Sequence, residues 1–85
     1  MYKITWKSKA VRQLSKIKDK KSKIAIFEGV DTLTNYPSCT NIKQLKNHRY
    51  DFRLRVGRFR VLFSVREEVE IIDIEEVKKR DERTY

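Results

Sequence analysis

From residue 52 onward the chain alternates with a period of two. Phe52, Leu54 and Val56 alternate with Arg53 and Arg55, and Phe59, Val61, Phe63 and Val65 then alternate with Arg58, Arg60, Leu62 and Ser64. Such a pattern sends one set of side chains to each face of a β-strand. Gly57 separates the two runs, and glycine readily takes the backbone geometry of a tight hairpin turn. The two runs are therefore predicted to form a β-hairpin. With Val56 and Gly57 as turn residues, Arg55 faces Arg58 and Arg53 faces Arg60. All four arginines then share one face, and Phe52, Leu54, Phe59 and Val61 share the other. Glu67 and Glu68 supply a second turn. Residues 69–76 give a third strand, with Ile72 and Ile74 toward the core, Ile71 away from it, and Glu75 opposite Arg60.

The first half of the chain has other periods. Tyr2, Ile4 and Trp6 alternate with Lys3, Thr5 and Lys7, which predicts a short opening strand over 2–7. Ser8 is suited to cap a following helix whose apolar stripe is Ala10, Val11, Leu14 and Ile17. The run Lys18-Asp19-Lys20-Lys21 is expected to break the chain before a second helix over 22–35. In that helix Ile24, Phe27, Val30 and Leu33 set the inner face and Ile26 lies at its margin. Gly29 costs helix stability and so marks close packing, and Pro37 discourages continuation. Residues 36–47 read as a loop tucked in by Ile42 and Leu45. The expected fold class is α+β, a single domain over 1–85, with two N-terminal helices packed on an antiparallel sheet of about four strands. Phe27 and Phe63 are the foremost core candidates, followed by Trp6, and Tyr36 and Tyr50 read as packing residues.

Charge sharpens this picture. The 85 residues carry 21 Lys and Arg against 12 Asp and Glu, a formal net charge of +9. Residues 1–23 hold a net +8, residues 43–60 a net +6 and residues 61–76 a net −5. Two basic segments able to flank one cleft point to a polyanion, and the charge by itself leaves RNA, DNA, anionic lipid and an acidic protein partner open. The plainer alternative is a solvated basic face that serves solubility. Lys9, Lys16 and Lys20 on the helices, with Arg55 and Arg58 on the hairpin, are candidate phosphate contacts. Cys39 is the only cysteine and His48 the only histidine, so an intrachain disulfide is excluded and a zinc site is disfavoured. No apolar run approaches a membrane span, and the expected location is the cytoplasm with no membrane partner.

The stretch Tyr50-Asp51-Phe52-Arg53-Leu54-Arg55-Val56-Gly57-Arg58-Phe59-Arg60-Val61-Leu62-Phe63, followed by the tail Lys79-Arg80-Asp81-Glu82-Arg83-Thr84-Tyr85, resembles the RelE/ParE toxin superfamily. The likeness is to the RelE-like ribosome-dependent mRNA endonucleases of type II toxin–antitoxin systems. It covers nearly the whole chain and implies the RelE-like microbial RNase fold. It also implies cleavage of mRNA in the ribosomal A site by attack of the 2′-hydroxyl on the adjacent phosphate, which inhibits translation. No metal or organic cofactor is implied. The implied partners are a cognate antitoxin, the ribosome with bound mRNA and, for the toxin–antitoxin complex, operator DNA. By resemblance Arg53 contacts the reacting phosphate, Arg60 and Arg80 stabilise the transition state, and Tyr85 stacks on a base and orients the 2′-hydroxyl. Lys79 and Arg83 join the RNA or ribosome contacts. Asp51 stands where the relatives carry lysine. The gyrase-inhibiting branch of the superfamily and a noncatalytic ribosome- or nucleic-acid-binding module remain alternatives. His48 and Asp51 are the other candidates for proton transfer, because a guanidinium does not give up its proton.

Overall fold

A computed structural model describes residues 1–80. Arg83 and Tyr85 lie outside the described residues. Five strands form one sheet: β1 (Lys3–Trp6), β2 (Ile42–Gln44), β3 (Phe52–Val56), β4 (Phe59–Arg66) and β5 (Ile71–Lys79), in the order β1-β5-β4-β3-β2. β1 runs parallel to β5 and every other pairing is antiparallel. Helices α1 (Ser8–Ser15) and α2 (Lys20–Asp31), the latter continued by a 3₁₀ turn over Thr32–Asn35, pack against the sheet. The helices-on-sheet architecture matches the sequence expectation. The additional strand, β2, comes from the segment read as a loop. No helix among the described residues is long and apolar enough to cross a membrane.

The core lies between the sheet and the helices. Leu54, Val61, Phe63, Ile72, Ile74 and Val77 face Ala10, Leu14, Ile26, Val30 and Leu33. Phe63 is fully buried and stacks on Phe52 at 5.5 Å. Phe52 in turn meets Tyr36, which packs edge-on against Tyr2. Gly29 is the expected point of close packing: a Cβ there would come within 2.9 Å of Val56 Cγ2.

The inner face of α2 departs from the sequence reading. Phe27 is 53% exposed and Ile24 49%, whereas Ile26, assigned to the margin, is completely buried. Four residues at a constant spacing of three drift by about 60° per step around a helix of 3.6 residues per turn, so they cannot all face one core. Ile26, Val30 and Leu33, spaced four and then three apart, stay within one arc. Phe27 lies on the flank, where its ring meets Trp6 at 5.4 Å. Ser8 is likewise no cap: Lys7 occupies that position without a side-chain hydrogen bond, while Asp19 caps α2 by accepting from Lys21 N. Val11 of the proposed α1 stripe is half-exposed.

Helix α1 has a second role. β1 ends opposite Ile74, and beyond that point no strand among the described residues pairs with β5 on this side. Gln13 Oε1 accepts a hydrogen bond from Val77 N at 2.7 Å, so an α1 side chain occupies the place of the missing strand.

Where β1, β4 and β5 meet, the nearly buried Asp73 accepts from Thr5 Oγ1 and takes both Nε and Nη2 of Arg66, at 2.9 and 3.1 Å. Burial acts to raise the Asp73 carboxyl. The hydrogen bonds from Thr5 and Arg66, with the Arg66 charge, outweigh it and hold the carboxyl below its ordinary value. A depressed folded value gives stability that is present above the ordinary carboxylate range and is lost as acid titrates through the folded value. Asp73→Asn should therefore lower stability at pH 7 by about 1–3 kcal/mol, discounted toward the lower end because Arg66 is half-exposed. The gap between the two proteins should close as the pH falls below about 3.9. Urea denaturation at neutral and acid pH measures both effects, and a gap that does not change with pH would contradict the assignment.

Candidate functional site

The arginines of the hairpin are placed by the turn. Gly57 takes the first turn position with φ of 55°, and Arg58 takes the second. Glycine at the first central position is a favoured hairpin arrangement because that residue needs a positive φ. The pairing is therefore Val56 with Phe59, Leu54 with Val61, Arg55 with Arg60, and Arg53 with Leu62. This corrects the predicted register, in which Val56 and Gly57 formed the turn and Arg53 faced Arg60. Arg53, Arg55 and Arg60 still share the face turned away from the helices, whereas Arg58 sits in the turn.

The second turn also differs. It spans Glu67–Glu70, with Glu70 at φ of 53°, and a bulge follows between the partners of Leu62 and Phe63. The longer turn and the extra residue shift the register, so Arg60 faces Lys78 rather than Glu75. The predicted Arg60–Glu75 pairing is thereby replaced. The same bulge turns Val77 into the core and lets β5 run on to the hairpin tip, where Arg80 N donates to Arg58 O at 2.7 Å.

The outcome is a cleft of about 300 Å³ lined by Lys43, Leu45, Arg53, Arg55, Gly57, Phe59, Arg60 and Arg80. Five of these eight residues are cationic, and no carboxylate is among them. Arg55 and Arg60 stand directly opposite each other, an arrangement that disfavours the empty sheet by roughly 0.2–1 kcal/mol per pair. A phosphate between the guanidiniums would relieve that repulsion and engage their planar donor forks.

The remaining candidates lie elsewhere. Lys9 pairs with the nearly buried Glu76 at 3.4 Å, and Lys78 approaches the same carboxylate at 3.7 Å. Burial acts to raise Glu76, but hydrogen bonding from Tyr50 and the Lys78 and Lys9 charges outweigh it and leave the carboxyl lowered. Lys16 and Lys79 border a separate concavity of about 480 Å³ with Ile17, Phe59 and Val77. Arg58 borders a third with Asp19, Ser22 and Ala25. Lys20 opens α2. His48 Nδ1 accepts from Tyr50 N at 3.1 Å. Asp51 Oδ2 accepts from Val65 N at 3.0 Å, which ties the start of β3 to β4. Asp51 is therefore occupied as a backbone fastener and does not line the cleft. Lys43, Leu45 and Phe59 are lining residues that the sequence reading did not select. For Lys43 the signal was weak, since β2 has only three residues.

Comparison with known proteins decides the family. Residues 4–84 match the model for the ParE toxin of the type II toxin–antitoxin system parDE. The chain belongs to this ParE toxin family. Among solved structures, the ParE-family chain resembles the archaeal RelE–RelB complex from Pyrococcus horikoshii OT3, with 24% identity, 95% of this chain and 97% of that one covered, and a TM-score of 0.79. It resembles RelBE2 from Mycobacterium tuberculosis at 22% identity, covering 93% and 98%, with a TM-score of 0.77. The isolated E. coli RelE toxin gives 12% identity, 95% and 86% coverage, and a TM-score of 0.79. These likenesses establish a shared fold for the ParE-family chain. No curated protein matches it.

Proposed function

We propose that this chain is the toxin of a type II toxin–antitoxin pair and acts as a ribosome-dependent endoribonuclease that cuts mRNA in the A site. The observation that carries the reading is the gathering of Arg53, Arg55, Arg60 and Arg80 around one cleft of about 300 Å³. In the proposed reaction the 2′-hydroxyl attacks the adjacent phosphorus, and negative charge builds on the phosphorane-like transition state. Arginines suit that task because they remain charged and offer several donors in a rigid plane. Their placement on a hairpin whose tip is bonded to Arg80 means that little reorganisation is needed when charge develops. The ribosome supplies alignment by holding the codon still, and alignment alone is worth several powers of ten. Tyr85 is proposed to stack on a base, with Lys79 and Arg83 as further RNA or ribosome contacts. Lys9, Lys16, Lys20 and Arg58 form a wider basic surface for the ribosome. The partner that silences the toxin is an acidic antitoxin, matched to the +9 charge, and the joint complex binds operator DNA. Action on translating ribosomes places the protein in the cytoplasm.

The match to the ParE model favours a second reading, in which the chain inhibits gyrase by protein binding and leaves RNA intact. Primer extension on mRNA recovered after expression separates the two. Breaks at fixed codon positions with 2′,3′-cyclic phosphate and 5′-hydroxyl ends support the endoribonuclease. Intact mRNA with induced DNA damage supports the gyrase inhibitor.

A further inference from the structure

We infer that Glu76 sets the border of the RNA path, holding Lys78 out of the cation array and parting the cleft from the basic surface of α1. This role rests on reading the cleft as an RNA site and makes Glu76 a specificity-determining residue.

Residues paired directly across neighbouring strands share a face of the sheet. Two rows of side chains therefore cross the face turned away from the helices. One row is Arg55, Arg60 and Lys78. The next, two residues further along the strands, is Lys43, Arg53, Leu62 and Glu76. The first row is cationic from end to end, yet the cleft takes in only part of it. Arg55 and Arg60 are among the residues that line it, whereas Lys78, paired with Arg60, is not.

Glu76 accounts for the difference. Its carboxylate receives Lys78 Nζ at 3.7 Å from its own strand and Lys9 Nζ at 3.4 Å from α1. The Tyr50 side chain, from the segment ahead of β3, hydrogen-bonds to it as well. The carboxylate is nearly buried, while both lysines are about half-exposed. A desolvated carboxylate left without a partner is costly, so this pairing holds Lys78 against the pull of a nearby phosphate. Without Glu76, cations would run unbroken from Arg55 through Arg60 and Lys78 toward Lys9. An RNA strand would then lie along that row as readily as in the cleft, with its phosphates drawn off the arginines. Glu76 closes this second route twice over, by engaging the ammoniums and by placing a negative charge beside them.

The test measures binding of a 2′-O-methyl RNA oligonucleotide, which lacks the attacking hydroxyl, by fluorescence anisotropy. On a single strand each phosphate contact adds about −0.7 to the slope of log K against log salt. E76Q frees Lys78 and Lys9, so its slope should be steeper than the parent's by about 0.7–1.4. At about 0.05 M salt it should bind about tenfold more tightly than the parent. K78M with Glu76 in place should keep the parent's slope within about 0.3, because Lys78 is already withdrawn. E76Q/K78M should fall back from E76Q by about 0.7. Thermal melts check that each variant folds. K78M alters only a half-exposed side chain and carries the test by itself if E76Q does not fold. An E76Q slope equal to the parent's overturns the assignment. So does a K78M slope shallower than the parent's by about 0.7, which would place Lys78 on the RNA in the unaltered protein. If the parent's own binding does not weaken with salt, the reading of the cleft as an RNA site fails, and the role of Glu76 fails with it.

Discussion

Arg60→Ala and Arg80→Ala will each slow single-turnover cleavage on programmed ribosomes by about 10²–10³-fold, the cost typical of losing one preorganised transition-state donor. Both residues line the same cleft, Arg60 from β4 and Arg80 from the position just after the adjoining β5. They reach it by different routes: Arg60 through the hairpin pairing, and Arg80 through the extension of β5 to the hairpin tip. Because they would act on one phosphate, the double variant should lose much less than the product of the two single losses. Arg60→Lys should recover only part of the rate, since a point charge replaces a planar fork. Neither side chain belongs to the apolar core, so the stability of each variant should stay within about 1 kcal/mol of the parent. Rates near the parent's in both single variants would mean that the cleft does not hold the reacting phosphate.

Phe63→Ala should destabilise the protein by about 3–5 kcal/mol, the range for deleting a buried aromatic side chain. Among the described residues Phe63 is the largest fully buried side chain, and it stacks on Phe52. A domain of this size has only about 4–13 kcal/mol of total stability, so a large share is at risk. At about 4–8 °C per kcal/mol, Tm should drop by more than about 12 °C. Phe27→Ala provides the contrast. Its ring is half-exposed and rests on Trp6, and its loss should cost about 1 kcal/mol. Thermal melts of the two variants compare the faces of α2 and the sheet directly. Equal losses would contradict the burial described for either phenylalanine.

The parts of the molecule that could be read from the sequence are those specified by neighbouring residues. Alternation over 52–56 and 59–65 was enough to place the hairpin and to put Arg53, Arg55 and Arg60 on one face, because a strand's two faces follow from its pleat. The partner of Arg60 was not readable. It depends on a four-residue turn at Glu67–Glu70 and on a bulge beside Leu62, and neither has a local sequence signature. The inner face of α2 was blurred because the sets 24/27/30/33 and 26/30/33 share Val30 and Leu33. Lys43 stayed hidden because Ile42–Gln44 is too short for alternation to show, and it becomes a strand only by pairing with β3. Asp51 could be noticed as an unusual residue, but its bond to Val65 N crosses fourteen positions of sequence.

The contact between Gln13 and Val77 bears on how the protein behaves in a crowded solution. A sheet margin with unanswered amide hydrogens solicits a further chain, and proteins suppress such recruitment by covering or interrupting the margin. Here a helical amide side chain answers one of those hydrogens, which makes the end of β5 a poor template for self-association. Removing that carboxamide would leave this amide hydrogen unanswered and open the end of β5 to recruitment of a further chain.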